Sequence, residues 1–160
     1  MTERQIDLEH ALQLLQSTLH EEIPISRSFG LLVDSYDQGR LTLKAPLAPN
    51  INDKGTVFAG TLNAVATLAG WSLLWLILRQ HNLTGKIVVQ DSTIQYLKSV
   101  AGDFTASCRK PDQLERLLMT LQRKGKARVE LAVEIREAGS TAVAFTGRYV
   151  IDRQETGTPA

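Results

Sequence analysis

Near the start of the chain, apolar residues recur three and four positions apart, at Leu8, Ala11, Leu12, Leu15 and Leu19. That spacing puts them on one face of a helix over about residues 3–20. Thr2 and Gln5 stand as a capping box at its start, and Pro24 stops it. From Phe29 to Leu47 the period changes to two. Leu41, Leu43 and Ala45 alternate with polar neighbours and Asp37–Gly39 carries turn chemistry, which predicts a β-hairpin. The polar stretch NINDKGTVFAG (50–60) then leads into a segment without a charged residue from Val57 to Leu78, read as a long helix to about Gln80.

Strand character fills the remainder. KIVVQDSTIQYLKSV (86–100) has the β-branched and aromatic content of a central strand, and DFTASCRK (103–110) reads as another. Pro111 and Asp112 open a short helix with Leu114, Leu117, Leu118 and Leu121 at helical spacing and Gly125 as its C-cap. ARVELAVEIRE (127–137) alternates, with Val129, Leu131, Val133 and Ile135 inward and Arg128, Glu130, Glu134 and Arg136 in water. Gly139 and Ser140 turn the chain into a last strand, TAVAFTGRYVI (141–151). A mobile tail is expected over about 153–160.

One very apolar helix among antiparallel strands calls for a sheet that curls around it, because a flat sheet covers one side only. The expectation is a single α+β domain spanning 1–160 in which Ala64, Ala66, Ala69 and Gly70 let the sheet approach closely. The apolar helix is long enough to cross a bilayer. However, it contains Thr61, Asn63, Thr67 and Ser72, its first half is mostly small residues, and Lys54 and Arg79 flank it without a positive-inside signal. A helix buried inside a globular domain is the better reading, with no membrane partner.

Composition narrows the classes further. The 160 residues are 43% hydrophobic, as a globular domain requires, and the net charge of +1 argues against nucleic acid as the main partner. Cys108 is the only cysteine and cannot form an internal disulfide, and the start MTERQIDLEH lacks a signal-peptide core. The expected location is therefore cytoplasmic. His10, His20 and His81 show no metal-ligand spacing, so neither a metal nor a cofactor is expected.

The order of elements, together with NDKGTVFAGTLNAVATLAGW (52–71), resembles the hotdog-fold acyl-thioester enzymes, over about Gly30 to Ile151. Many of these carry an Asn, a Gly-Thr pair and then His-Gly-Gly opening the central helix. Asn52, Gly55, Thr56 and Gly60 match, whereas Phe58 stands for the histidine and Ala59 for the first glycine. GTVFAG followed by LAGW is closest to the YiiD C-terminal type, a group of thioesterases with some relatives linked to malonyl decarboxylation on acyl carrier protein. The resemblance implies an acyl-coenzyme A or acyl carrier protein substrate, and a homodimer or higher homo-oligomer with sites between chains. Where many hotdog thioesterases place a carboxylate, seven residues after the last motif glycine, this chain has Thr67, which is too weak an acid to serve alone as a base at neutral pH.

Several residues are candidates for chemistry. The first turn of a helix has amides without intrahelical acceptors, and those of Gly60 and Ala59, beside Phe58, suit the oxygen of a thioester carbonyl as it becomes anionic. Asn52 offers a donor and an acceptor for a water or the thioester, or simply satisfies its own loop. Asp91 lies mid-strand, where aspartate is a poor strand former, on one face with Val89 and Thr93. Partly buried there, it would have a raised pKa and take a proton from water. Ser92 on the opposite face is the weaker candidate. Asn63 and Thr67 lie four apart on the apolar helix, and Thr67 either lines a site or bonds back to the carbonyl of Asn63. Trp71 and Trp75 read as core. Seven cations from Arg109 to Arg128, Arg123 and Lys124 among them, face only Asp112 and Glu115, a charge excess suited to coenzyme A phosphates or an acidic carrier. Three functions remain open: thioester hydrolysis with Asp91 or Asn52 at the water, malonyl-thioester decarboxylation with Asn52 and Thr67 orienting the malonyl group, and non-catalytic binding of an acyl carrier.

Overall fold

The computed structural model describes residues 3–155, with side chains from Asp7 onward. The Thr2–Gln5 capping pair and the tail from residue 156 lie outside what is described. Helix α1 (Glu3–Glu22) buries Ala11, Leu15 and Leu19, the stripe its spacing predicts. Pro24 ends it but does not send the chain straight into a strand. A single turn, α2 (Ile25–Ser28), forms a corner fixed by Ser26, whose buried Oγ donates to the Leu19 carbonyl at 2.8 Å.

Strands β1 (Leu32–Asp37) and β2 (Arg40–Ala45) form the predicted hairpin. Its two loop residues, Gln38 and Gly39, have φ of 47° and 78°, the left-handed pair that a tight hairpin needs to match strand twist. After a 3₁₀ turn at Ala48–Asn50 comes α3 (Ala59–Gln80), then β3 (Thr84–Tyr96), β4 (Phe104–Arg109), α4 (Leu114–Lys124), β5 (Lys126–Glu137) and β6 (Ser140–Gln154). All six strands join one antiparallel sheet in the order β1-β2-β4-β5-β6-β3. The sheet curls around α3, as the α+β expectation required. Strand β6 runs on to Gln154, paired with Thr84, so residues 153 and 154 belong to the sheet rather than to a loose tail.

Helix α3 is long and apolar enough to cross a membrane by length and composition alone. Here Leu62, Val65, Leu68, Leu73, Leu74, Leu76 and Ile77 are covered by protein instead. The closest approach is to β6. Tyr149, fully buried, reaches across from that strand and donates from its hydroxyl to the Thr67 carbonyl at 2.7 Å. Gly70 makes room for it, since a Cβ there would lie 2.3 Å from the Tyr149 oxygen.

One departure from the sequence reading, and one feature it did not address, bear on function. Strand β3 was expected to be central, yet in the single chain it is an edge. The β-branched residues that suggest a central strand include Val88 and Val89, both exposed. Second, β4 is half the length of β5 and pairs with it only from Cys108↔Val133 to Thr105↔Arg136. The first half of β5 therefore has a neighbouring strand on one side only, and α4 lies along the other.

Candidate functional site

The start of α3 opens onto a groove of about 410 Å³. Gly60, Asn63, Ala64, Thr67 and Leu68 of α3 form one wall, and Ile23, Ile25 and Phe29 of the α1–α2 corner form the other. Positions 60, 63, 64, 67 and 68 share a helix face because they recur every three or four residues. Among the described residues, no Asp, Glu, His, Lys or Arg lines this groove.

The amides of Ala59 and Gly60 behave as the loop sequence suggested. The Thr61 and Leu62 amides turn back to the Phe58 carbonyl, at 3.0 and 3.2 Å. Those of Ala59 and Gly60 have no acceptor among the described residues. No side chain caps this helix end, so its positive pole is open to a ligand. Phe58 is 57% exposed and folds its ring across Gly60, close enough that a Cβ there would sit 2.3 Å from the ring. Tyr96, at the end of β3, donates from its hydroxyl to the Ala59 carbonyl at 3.3 Å and ties the edge strand to the same helix terminus.

Thr67, which lines the groove, donates from Oγ1 to the Asn63 carbonyl at 2.9 Å, so its proton is occupied. The Asn63 carboxamide has no hydrogen-bond partner among the described residues, which leaves it as the free polar side chain of the wall.

Asn52 is placed differently from the site role considered for it. Its Oδ1 accepts from the amides of Lys54 and Thr56 at 2.9 and 3.0 Å, and its Nδ2 donates to Thr56 Oγ1 at 2.9 Å. Both ends of the amide tie the 52–57 loop, and Asn52 does not line the groove. Its contribution is to the entry path of α3.

Asp91 also corrects the sequence reading. The register along β3 steps from Val89↔Tyr149 to Asp91↔Arg148 and leaves Gln90 as a bulge. A bulge shifts the alternation by one residue. Asp91 thus lies on the Arg148 face, opposite Tyr149 and α3, and shares a side with Thr93 but not with Val89. Its carboxylate is 59% exposed and accepts from Arg148 Nη1 at 3.2 Å. Ser92, ranked below it, takes the inward side opposite Gly147.

Arg123 and Lys124 do not meet the groove of their own chain. They precede Gly125, beside the pairings Lys126↔Asp152 and Thr84↔Gln154, at the end of the sheet where α3 finishes. Gly60 is at its other end, roughly 33 Å away for 22 residues at 1.5 Å rise each. Cys108 and the histidines gather no ligand set: among the described residues no group of three or more metal-binding side chains occurs. Burial pushes the Cys108 thiol up to about 12, and burial followed by the charge of Cys108 raises the Tyr149 hydroxyl as well. Trp71 and Trp75 pack half-buried against the core, with the Arg79 guanidinium 5.6 Å from the Trp75 ring.

The groove wall formed by Ile23, Ile25 and Phe29 was not anticipated. Its signal in the sequence was a proline flanked by two isoleucines, one of which, Ile25, is 58% exposed.

Comparison with known proteins agrees with this fold. Residues 12–153 match the model of a family described as "Putative thioesterase (yiiD_Cterm)". A crystal structure described as a "putative thioesterase" from Shewanella oneidensis is 38% identical, with 89% of this chain and 97% of that chain covered and a TM-score of 0.84. A protein of unknown function from Chlorobaculum tepidum is 33% identical over 91% of this chain and 96% of its own, with a TM-score of 0.85. A Pseudomonas aeruginosa protein described as a "probable thioesterase" shares the fold at 21% identity and a TM-score of 0.75, over 89% of this chain and 95% of its own.

Proposed function

The chain belongs to the "Putative thioesterase (yiiD_Cterm)" family, and from that membership we propose that it processes acyl thioesters, by hydrolysis, in the groove beside Gly60. The acyl group arrives on coenzyme A or on an acyl carrier protein. The observation that carries this reading is the pair of acceptor-free amides at Ala59 and Gly60 on the rim of a largely apolar groove.

A thioester carbonyl oxygen seated on those amides gains its strongest hydrogen bonds as water adds and negative charge builds on it. The apolar corner of Ile23, Ile25 and Phe29 receives the acyl chain. Asn63, with both a donor and an acceptor, orients the attacking water or the thioester, and Thr67 accepts a hydrogen bond at the groove floor. Phe58 shields the amides from bulk water, which strengthens each bond made there.

A second copy of the chain completes the site. The open margin of β3 with Val88, Val89 and Tyr96 exposed, and Leu97, Ile51 and Phe58 exposed nearby, supports pairing of β3 with its counterpart in a homodimer. Sedimentation at micromolar concentration is expected to give twice the chain mass, and a monomer would remove this part of the reading.

One observation favours a second reaction. Among the described residues, the groove contains no carboxylate or imidazole to activate water. Decarboxylation of a malonyl thioester needs no base: the C–C bond to the carboxylate breaks, carbon dioxide leaves, the enolate oxygen takes up charge on the same two amides, and a proton from water then adds to the enolate carbon to give the acetyl thioester. A neutral Thr67 also avoids repelling the malonyl carboxylate.

The test offers acetyl, longer acyl and malonyl thioesters of coenzyme A and of carrier protein, followed by mass spectrometry. Free thiol marks hydrolysis, and acetyl thioester from malonyl thioester marks decarboxylation. Asn63→Ala is expected to lower turnover by about tenfold or more, since positioning errors of this kind are that costly. Thioesters recovered unchanged throughout would leave only a non-catalytic acyl-carrier binding module.

A further inference from the structure

The mismatch between β4 and β5 leaves a cleft of about 660 Å³. β4 stops at Arg109, β5 starts at Lys126, and α4 crosses between them. Residues 126–132 of β5 pair with β6 but not with β4, so this margin presents backbone amides and carbonyls to the cleft. Arg109, Lys110 and Arg116 line the cleft, with Arg128 at its rim. None of these four forms an ion pair within 4 Å among the described residues. Lys110 lies 5.7 Å from the Tyr36 ring, and Arg128 directs its Nε toward Gln90 at 3.4 Å, so Arg109 and Arg116 are the freest guanidinium groups.

Two further features point to the kind of ligand. Half-buried Val129, with the buried Leu117 and Leu131 beside it, gives the cleft an apolar patch against which a flat ring can lie. Asp112 and Glu130 also line it without a cation bound to either. They offer acceptors for hydroxyl groups such as those of a ribose. Guanidinium forks match phosphate oxygens two at a time, and four cations against two carboxylates leave the lining positive. The volume is within the range of small-molecule sites.

We propose that this cleft binds a nucleoside diphosphate group, with Arg109 and Arg116 on the phosphates. The inference is independent of the reaction at Gly60, which opens at the other end of the sheet in the same chain. The same chemistry is present in free ADP and in the nucleotide end of coenzyme A.

Calorimetric titration of the full chain with ADP, inorganic pyrophosphate, coenzyme A and pantetheine tests it. ADP is expected to bind saturably, more tightly than pyrophosphate, and less tightly as salt rises. Pantetheine, which lacks the nucleotide, is expected not to bind at this cleft. Arg109→Ala and Arg116→Ala are each expected to weaken ADP about tenfold or more, the size of a lost charged hydrogen bond, with unchanged circular dichroism. Coenzyme A that competes with ADP identifies the coenzyme as the source, and coenzyme A that does not compete identifies a free nucleotide. Absence of saturable ADP binding at millimolar concentration would overturn the proposal. Binding untouched by both substitutions would overturn it too, as would an acidic protein binding in an Arg116-dependent way where ADP does not.

Discussion

Gly70→Ala separates helix propensity from packing. In isolation the change favours the fold, because alanine is better than glycine inside a helix by about 1 kcal/mol. The surroundings of Gly70 reverse the sign. The new Cβ would lie 2.3 Å from the Tyr149 oxygen, 2.5 Å from Cζ and 2.8 Å from Cε2, where carbon contacts normally settle near 3.5–4.0 Å. Tyr149 is fully buried and hydrogen-bonded to the Thr67 carbonyl, so its ring has no free space to enter. Overpacking of this kind costs about 1–3 kcal/mol, and a hydroxyl torn from its acceptor while still buried adds about 1–3 kcal/mol. Against the propensity gain, the net loss is about 1–5 kcal/mol, or roughly 2–20 °C in Tm for a domain of this size. Thermal unfolding followed by circular dichroism reads it directly. Tyr149→Phe removes the nearest atom, so the double variant is expected to lose less than the sum of the two single losses. A Gly70→Ala protein as stable as the parent, or more so, would refute the packing argument.

Asp91→Ala is expected to leave thioester turnover within about twofold and stability within about 1 kcal/mol, since it removes only an exposed ion pair with Arg148. A hundredfold loss of kcat at an unchanged Tm would place the carboxylate in the chemistry after all. Cys108 links stability to pH. The folded thiol holds its proton to about 12 against an ordinary value of 9.0. Its contribution is therefore fully present below about pH 9 and is lost as pH rises toward about 12, by about 1.4 kcal/mol per unit. Compared with Cys108→Ala, the parent is expected to lose ground steadily between pH 9 and 11 in denaturant titrations; a pH-independent difference counts against a sealed thiol.

The elements were legible wherever one period ran unbroken. The α1 stripe, the hairpin with its Gln38-Gly39 turn, the inward set Val129, Leu131, Val133 and Ile135, and the Gly125 cap all followed from local spacing. The acceptor-free amides at residues 59 and 60 were legible too, because an uncapped helix start is a local event. What escaped depended on contacts between distant segments. Asn52 reads equally well as a ligand or a loop clasp until the Thr56 and Lys54 amides are placed around it. The wall of Ile23, Ile25 and Phe29 exists only because the α1–α2 corner folds back over α3. Arg123 and Lys124 are close to Gly60 in no sense that a linear reading of charge could test. The edge position of β3 was hidden because its β-branched composition is that of a strand with neighbours on both sides.

The bulge at Gln90 sets the frame for every residue that follows it on β3. If β3 paired without the bulge, Asp91 would sit opposite Gly147 and point at α3, while Ile94 would turn to solvent. Ile94 would then lose its packing against the core, which penalises the straightened pairing. The extra residue thus works as a lock on the frame: it holds Ile94 and Tyr96 on the inward side, where Tyr96 reaches the start of α3.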